Sequence, residues 1–131
     1  MDGSKQSTKG LDLACTLAKA NNAKITGHNV VPKMFAYGIP LTNDFQKKSR
    51  IKGERILNAS AKQAKKRGIP LSKKIQVGRN IGQTITKYAQ DNKFDIVVIG
   101  SRGPDPGAEM FIGSVANYLI HKCKIPILVV K

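Results

Sequence analysis

The chain has 131 residues and a formal net charge of +15, from 23 Lys and Arg against 8 Asp and Glu. That length suits one hydrophobic core rather than two, and no apolar run approaches the ~20 residues that cross a bilayer. No charged-then-apolar leader opens the chain, and Cys15 and Cys123 lack Cys-x-x-Cys or Cys/His spacing, so the expectation is a single cytoplasmic domain over residues 1–131 with no disulfide or zinc site.

Ser4 or Ser7 can cap a first helix in which Leu11, Ala14, Leu17 and Ala18 recur at helical spacing, and Asn21-Asn22 suits its end. Lys24 to Val31 follows as a strand, closed by Pro32. Lys33 to Asn43, with Tyr37, Gly38 and Pro40, reads as an irregular connection. A long helix then spans Asp44 to Arg67 with Phe45, Ile56, Leu57, Ala61 and Ala64 inward, and Gly68-Ile69-Pro70 stops it. From Lys47 to Lys74 the chain carries eleven basic residues and one acid, Glu54. Such a run is either a solvated helix face or a patch for nucleic acid or another polyanion. No aromatic residue interleaves with it after Phe45, so stacking on single-stranded bases is poorly supported.

Leu71 to Val77 alternates polar and apolar residues and reads as a strand near a sheet edge. Asn80 can cap a helix with Ile81, Ile85, Tyr88 and Ala89 on one face. Asp95 to Gly100 is the most apolar strand, Ser114 to Lys122 a helix with Val115, Tyr118 and Leu119 inward, and Pro126 to Val130 a closing strand. Alternation of this kind predicts an α/β fold, a parallel sheet with helices on both faces and ligands beyond the carboxyl ends of the strands. Gly100-Ser101-Arg102-Gly103 falls at such an end. Gly113-Ser114 opens the next helix, so glycines that admit an anion adjoin a helix start whose free N–H groups attract it.

The spacing is Gly100, two residues, Gly103, nine residues, Gly113, Ser114. With a strand before it and a helix after it, this pattern resembles the ATP-binding signature of the universal stress protein family. The likeness extends to Asp2-Gly3-Ser4, to Asn29-Val30-Val31-Pro32 and to Pro126-Ile127-Leu128-Val129-Val130. The resemblance implies a flavodoxin-like open sheet that binds ATP, often as a homodimer joined through the final strands. It places Asp2 near the adenosine part of the nucleotide and the Val30 backbone against adenine. Ile99, Gly100, Arg102 and Gly103 correspond to the loop around ribose and phosphates, and Gly113, Ser114, Val115 and Ala116 to the phosphate-binding helix start.

Three departures stand beside that likeness. Ala116 replaces a common second hydroxyl, which removes one phosphate contact. The segment between Gly103 and Gly113 carries Asp105 and Glu109 where the family usually has basic residues; these acids are simply exposed to solvent, repel a triphosphate, or face bound Mg2+, and solvent exposure is favoured over the metal. The family also begins with an apolar strand immediately before Asp-Gly-Ser, in the middle of the sheet, whereas this sequence opens at Met1. Without that strand its neighbours stand about 10 Å apart with no ladder between them. Either an upstream segment is omitted from the sequence, or the gap closes by rearrangement or by a partner's strand.

No Walker-type phosphate loop is present and no lysine adjoins the glycine pair, which argues for binding over fast hydrolysis. His28 and His121 read as packing or surface residues rather than general bases. Three functions stay open: an ATP-binding regulatory protein, a dimeric interaction module without nucleotide, and a basic protein that binds nucleic acid nonspecifically. Gly100-Ser101-Arg102-Gly103 also fits the GxxG of a KH domain, but that loop joins two helices, whereas a strand precedes Gly100, which disfavours the reading.

Overall fold

The first helix, α1 (Lys5–Asn21), is capped by Ser4, whose hydroxyl accepts a 3.1 Å hydrogen bond from the Ser7 amide. Asn22 ends it in the left-handed region at φ 49°. A computed structural model describes residues 1–33, 35–36, 39–40, 43–104 and 112–131. After α1 come β1 (Ile25–Pro32), the short strands β2 (Phe35–Ala36) and β3 (Ile39–Pro40), α2 (Asn43–Lys66) and β4 (Leu71–Gly78). The chain continues through α3 (Ile81–Asp91), β5 (Val97–Gly100), α4 (Ser114–Lys122) and β6 (Ile127–Val130). The expected irregular connection thus contains an antiparallel pair, Phe35 opposite Pro40 and Ala36 opposite Ile39. Tyr37 and Gly38 lie outside the described residues.

Two parallel pairs build the core of the fold. β1 runs beside β4 in register from Ile25–Leu71 to Pro32–Gly78, and β5 beside β6 from Val97–Ile127 to Gly100–Val130. Successive residues of β1 point to opposite faces. A Cβ on Gly27 would sit 3.2 Å from Leu57 of α2, whereas the His28 ring lies 4.8 Å from the Tyr88 ring of α3. α1 and α2 therefore cover one face and α3 the other, joined there by α4, which packs on α3 and β6. This is the flavodoxin-like arrangement of parallel strands between helix layers.

The buried stripe of α2 is Gly53, Leu57, Ser60 and Ala64, at steps of four, three and four. Phe45, expected inward, is 39% exposed, because at 100° per residue it stands about a quarter-turn off that stripe. Leu11, Cys15 and Ala64 form a cluster with Ile25, Ile69 and Leu71 packed on it. Asp12 ties α1 to the end of α2, accepting from Gln63 Nε2 at 2.7 Å and pairing with Arg67 at 2.7 Å. Gly68 follows at φ 78°, and the Ile69 amide returns to the Ala64 carbonyl.

Among the described residues no ladder joins β1 to β5. In place of the single continuous sheet that strand–helix alternation suggests, the two parallel pairs stand apart, with a break between β1 and β5. The break leaves a mark on burial: every residue of β5 and β6 is only partly buried, and Ile96 is 44% exposed. Strands covered on both faces and flanked on both sides are ordinarily buried throughout. The Val97 and Ser101 amides donate to Pro126 and Val130 of the β6 segment at 2.9 and 2.7 Å. Alternation along the strand then turns the N–H and C=O of Val98 and Gly100 toward the break. On its other side the His28 carbonyl accepts a hydrogen bond from the Met1 amine, and Asn29 Nδ2 donates to the Met1 carbonyl at 2.7 Å. Burial pulls that amine below its usual pKa, opposed by the charge of Asp2.

Candidate functional site

The break brings the chain start to the carboxyl ends of the strands. Asp2 Oδ1 accepts from the Ser4 amide at 2.9 Å, in a turn that Gly3 completes at φ 83°. Its other oxygen, Oδ2, would lie 3.6 Å from a Cβ on Gly103. Asp2 therefore stands beside the loop that follows β5. Gly100 lets α1 close onto β5 there, since a Cβ at that position would fall 2.8 Å from Gln6 Cβ and 3.1 Å from the Ser7 amide.

The Gly113 amide donates to the Ser101 carbonyl at 2.7 Å, which pins the start of α4 to the same loop. Gly113 has an ordinary φ of −60°, so what the position requires is space. An added Cβ would sit 3.3 Å from Arg102 Cα, 3.4 Å from the Ser101 oxygen and 3.6 Å from the Gly103 nitrogen. The first intrahelical bond of α4 is the one from Asn117 to the Gly113 carbonyl, 2.9 Å long. The amides of Ser114, Val115 and Ala116 consequently have no acceptor within the helix, and they carry the positive end of its dipole.

The side chains around those amides differ in what they can contribute. Ser114 is exposed and its hydroxyl has no protein partner among the described residues, while Arg102 is half-buried with no acid paired to it there. Ala116 is 2% exposed, so only its backbone can meet a ligand; a hydroxyl at that position would point into the core. Ile99 lies in β5 opposite Val129, beneath the loop. Val30 belongs to β1, opposite Gln76 and across the break from β5. Asp105 and Glu109 lie outside the described residues, and among the others no group of three or more His, Cys, Asp or Glu could hold a metal ion.

Of the positions singled out from sequence, Asp2, Arg102, Gly103, Gly113 and Ser114 to Ala116 come together around one loop, with Ile99 and Gly100 as its footing. The sequence reading missed Asn29 and Ser101. Asn29 is 8% exposed and anchors Met1 ahead of Asp2, and α2 approaches it so closely at Gly53 that a Cβ there would collide with its amide. Its signal was an amide residue at an inward position of an otherwise apolar strand. Ser101 is 6% exposed and acts through its carbonyl, which no side-chain pattern reveals.

An anion fits this arrangement on physical grounds. Free amides stand at a helix start beside a glycine loop, and Arg102 of that loop has no acidic partner among the described residues. The chain matches the profile of the universal stress protein family over residues 1–131. It is 26% identical over 147 aligned residues to universal stress protein YxiE of Bacillus subtilis (strain 168), covering 100% of this chain and 95% of that one. Among solved structures, universal stress protein UspA from Lactobacillus plantarum superposes with a TM-score of 0.86 at 18% identity, covering 100% of this chain and 93% of the other. A universal stress protein solved in complex with cAMP gives a TM-score of 0.77 at 25% identity, with 100% and 92% covered. Among the described residues no helix is long and apolar enough to cross a membrane.

Proposed function

Because the chain belongs to the universal stress protein family, we propose that it is one cytoplasmic domain that binds ATP as a regulatory ligand, with little or no catalysis. The observation that carries this reading is the seat of Gly113 against Arg102 and Gly103, 3.3 and 3.6 Å from a Cβ built there. It brings the start of α4, with its free amides, beside the loop after β5. Solved family members in complex with cAMP, dAMP and AMP support an adenine nucleotide as the ligand. In this assignment Ser114, Val115, Ala116 and Arg102 hold the phosphates, Ile99, Gly100, Gly103 and Gly113 shape the loop, and Asp2 and Val30 face the adenosine part. Asp105 and Glu109 are the candidate ligands for an accompanying Mg2+ ion. Two copies pair through the apolar strand β6, whose outer edge has no partner among the described residues.

Calorimetric titration with ATP and with adenosine tests the phosphate seat. Ser114→Asp keeps the helix start favourable, since a carboxylate suits the positive end of the dipole, but it repels phosphate. ATP affinity should fall at least tenfold while adenosine binding stays level. Unchanged ATP affinity would remove the proposed site, and sedimentation as a monomer at micromolar concentration would remove the dimer.

A further inference from the structure

The side of α2 that faces away from the sheet is mostly basic from Lys48 to Lys66. Gly53, Leu57, Ser60 and Ala64 are buried toward β1 and β4, so the outermost positions are Lys48, Lys52, Arg55, Ala59, Lys62 and Lys66. They follow one another at steps of four, three, four, three and four, and all are exposed. Five cations thus stand in one row about 27 Å long, at 1.5 Å per residue. Lys48 pairs with Asp44 at 2.9 Å, but Lys52, Arg55, Lys62 and Lys66 have no acidic partner among the described residues. Lys47 and Lys65 flank the row.

Like charges three and four residues apart work against the helix that carries them, and a merely solvated face would gain from alternating signs instead. The chemistry of the row narrows what it fits. The apolar stripe of α2 is already buried in the protein, and the exposed Phe45 and Ile51 are two isolated residues rather than a face that could enter a lipid surface. No aromatic side chain stands in the row to stack on unpaired bases. What remains is a straight line of flexible point charges suited to regularly spaced phosphates. We propose that the outer face of α2 docks on the phosphate backbone of duplex nucleic acid without reading its sequence, independently of the site at α4.

Fluorescence anisotropy with a labelled random-sequence DNA duplex of about 20 base pairs, and its RNA counterpart, measures this. Four to five phosphate contacts give a slope of log affinity on log salt of about −4, at roughly −0.9 per contact. The variant Lys52→Glu/Arg55→Glu/Lys62→Glu/Lys66→Glu should lose more than 30-fold in affinity at 100 mM salt and flatten the slope. The control Lys19→Glu/Lys24→Glu/Lys122→Glu/Lys124→Glu changes net charge equally on other elements, all at exposed positions, and should lose less than threefold. If the glutamates unfold α2 by circular dichroism, Lys52→Gln/Lys62→Gln/Lys66→Gln makes the same comparison without adding repulsion. Equal losses in row and control would mean diffuse attraction to net charge and overturn the proposal. Tighter binding to phosphatidylserine vesicles than to duplex, or no duplex binding at 50 mM salt, would overturn it too.

Discussion

Acidifying the protein from pH 7.5 to pH 5 should destabilise it through one partly buried side chain, His28. Its ring packs on Tyr88 with centroids 4.8 Å apart, and its Nε2 atom is buried without a hydrogen-bond partner among the described residues. Burial is the main cause that lowers its pKa from 6.5 to about 4. The Met1 amine and Lys74 push the same way, and Gln76 opposes them. The unfolded chain takes up this proton near pH 6.5 and the folded chain only near pH 4, so between those values the unfolded state binds more protons. The contribution of His28 is therefore level above pH 7 and is lost as the pH drops from 6.5 to 4. At 1.36 kcal/mol per pH unit the full difference is worth about 3 kcal/mol, and partial exposure reduces it to about 1–2 kcal/mol through solvent screening. Urea unfolding at pH 7.5, 6 and 5, followed by far-ultraviolet circular dichroism, reads the effect. His28→Leu should remove most of the slope over that range. Identical pH dependence in the two proteins, or a His28 titration near 6.5 by NMR, would refute the reasoning.

Hydrogen exchange should alternate along β5: the Val98 amide faces the break and exchanges fast, whereas Val97, bonded to Pro126 at 2.9 Å, is protected. Equal protection would mean that the break is closed in solution. Gly113→Val should weaken ATP at least tenfold in calorimetry, because its side chain fills the space 3.3 Å from Arg102 Cα; unchanged affinity would place the ligand elsewhere. Leu119→Ala, at a fully buried position between the helices and β6, should cost about 2–5 kcal/mol in urea unfolding, and a loss below 1 kcal/mol would contradict the packing described.

Capping residues were the most legible part of the chain. Asn80 accepts from the Gln83 amide at 2.9 Å as its place before Ile81 predicts, and Gly68 ends α2 with a positive φ. The polar alternation of β4 also matched its place at the edge beside β1 alone. The pair β2–β3 escaped notice because two-residue strands leave no periodicity to read. Phe45 was misplaced for a related reason: an apolar residue in the first turn of a helix has few neighbours to set its phase, and the stripe that packs is set further along.

At the site, the glycine spacing marked the loop after β5 and the start of α4, since backbone approach to an anion demands residues without side chains. The sequence therefore determined by itself the four helices, the four longer strands with their parallel sense, and the family to which the chain belongs. It could not say that Ala116 turns into the core, that Asn29 holds Met1 in front of Asp2, or that Gly113 packs closely against Arg102. Those facts join residues tens of positions apart and depend on how α1, α2 and α4 lie on the two strand pairs. Local propensity is written within a turn or two of chain, whereas contact between distant segments exists only once their side chains have packed.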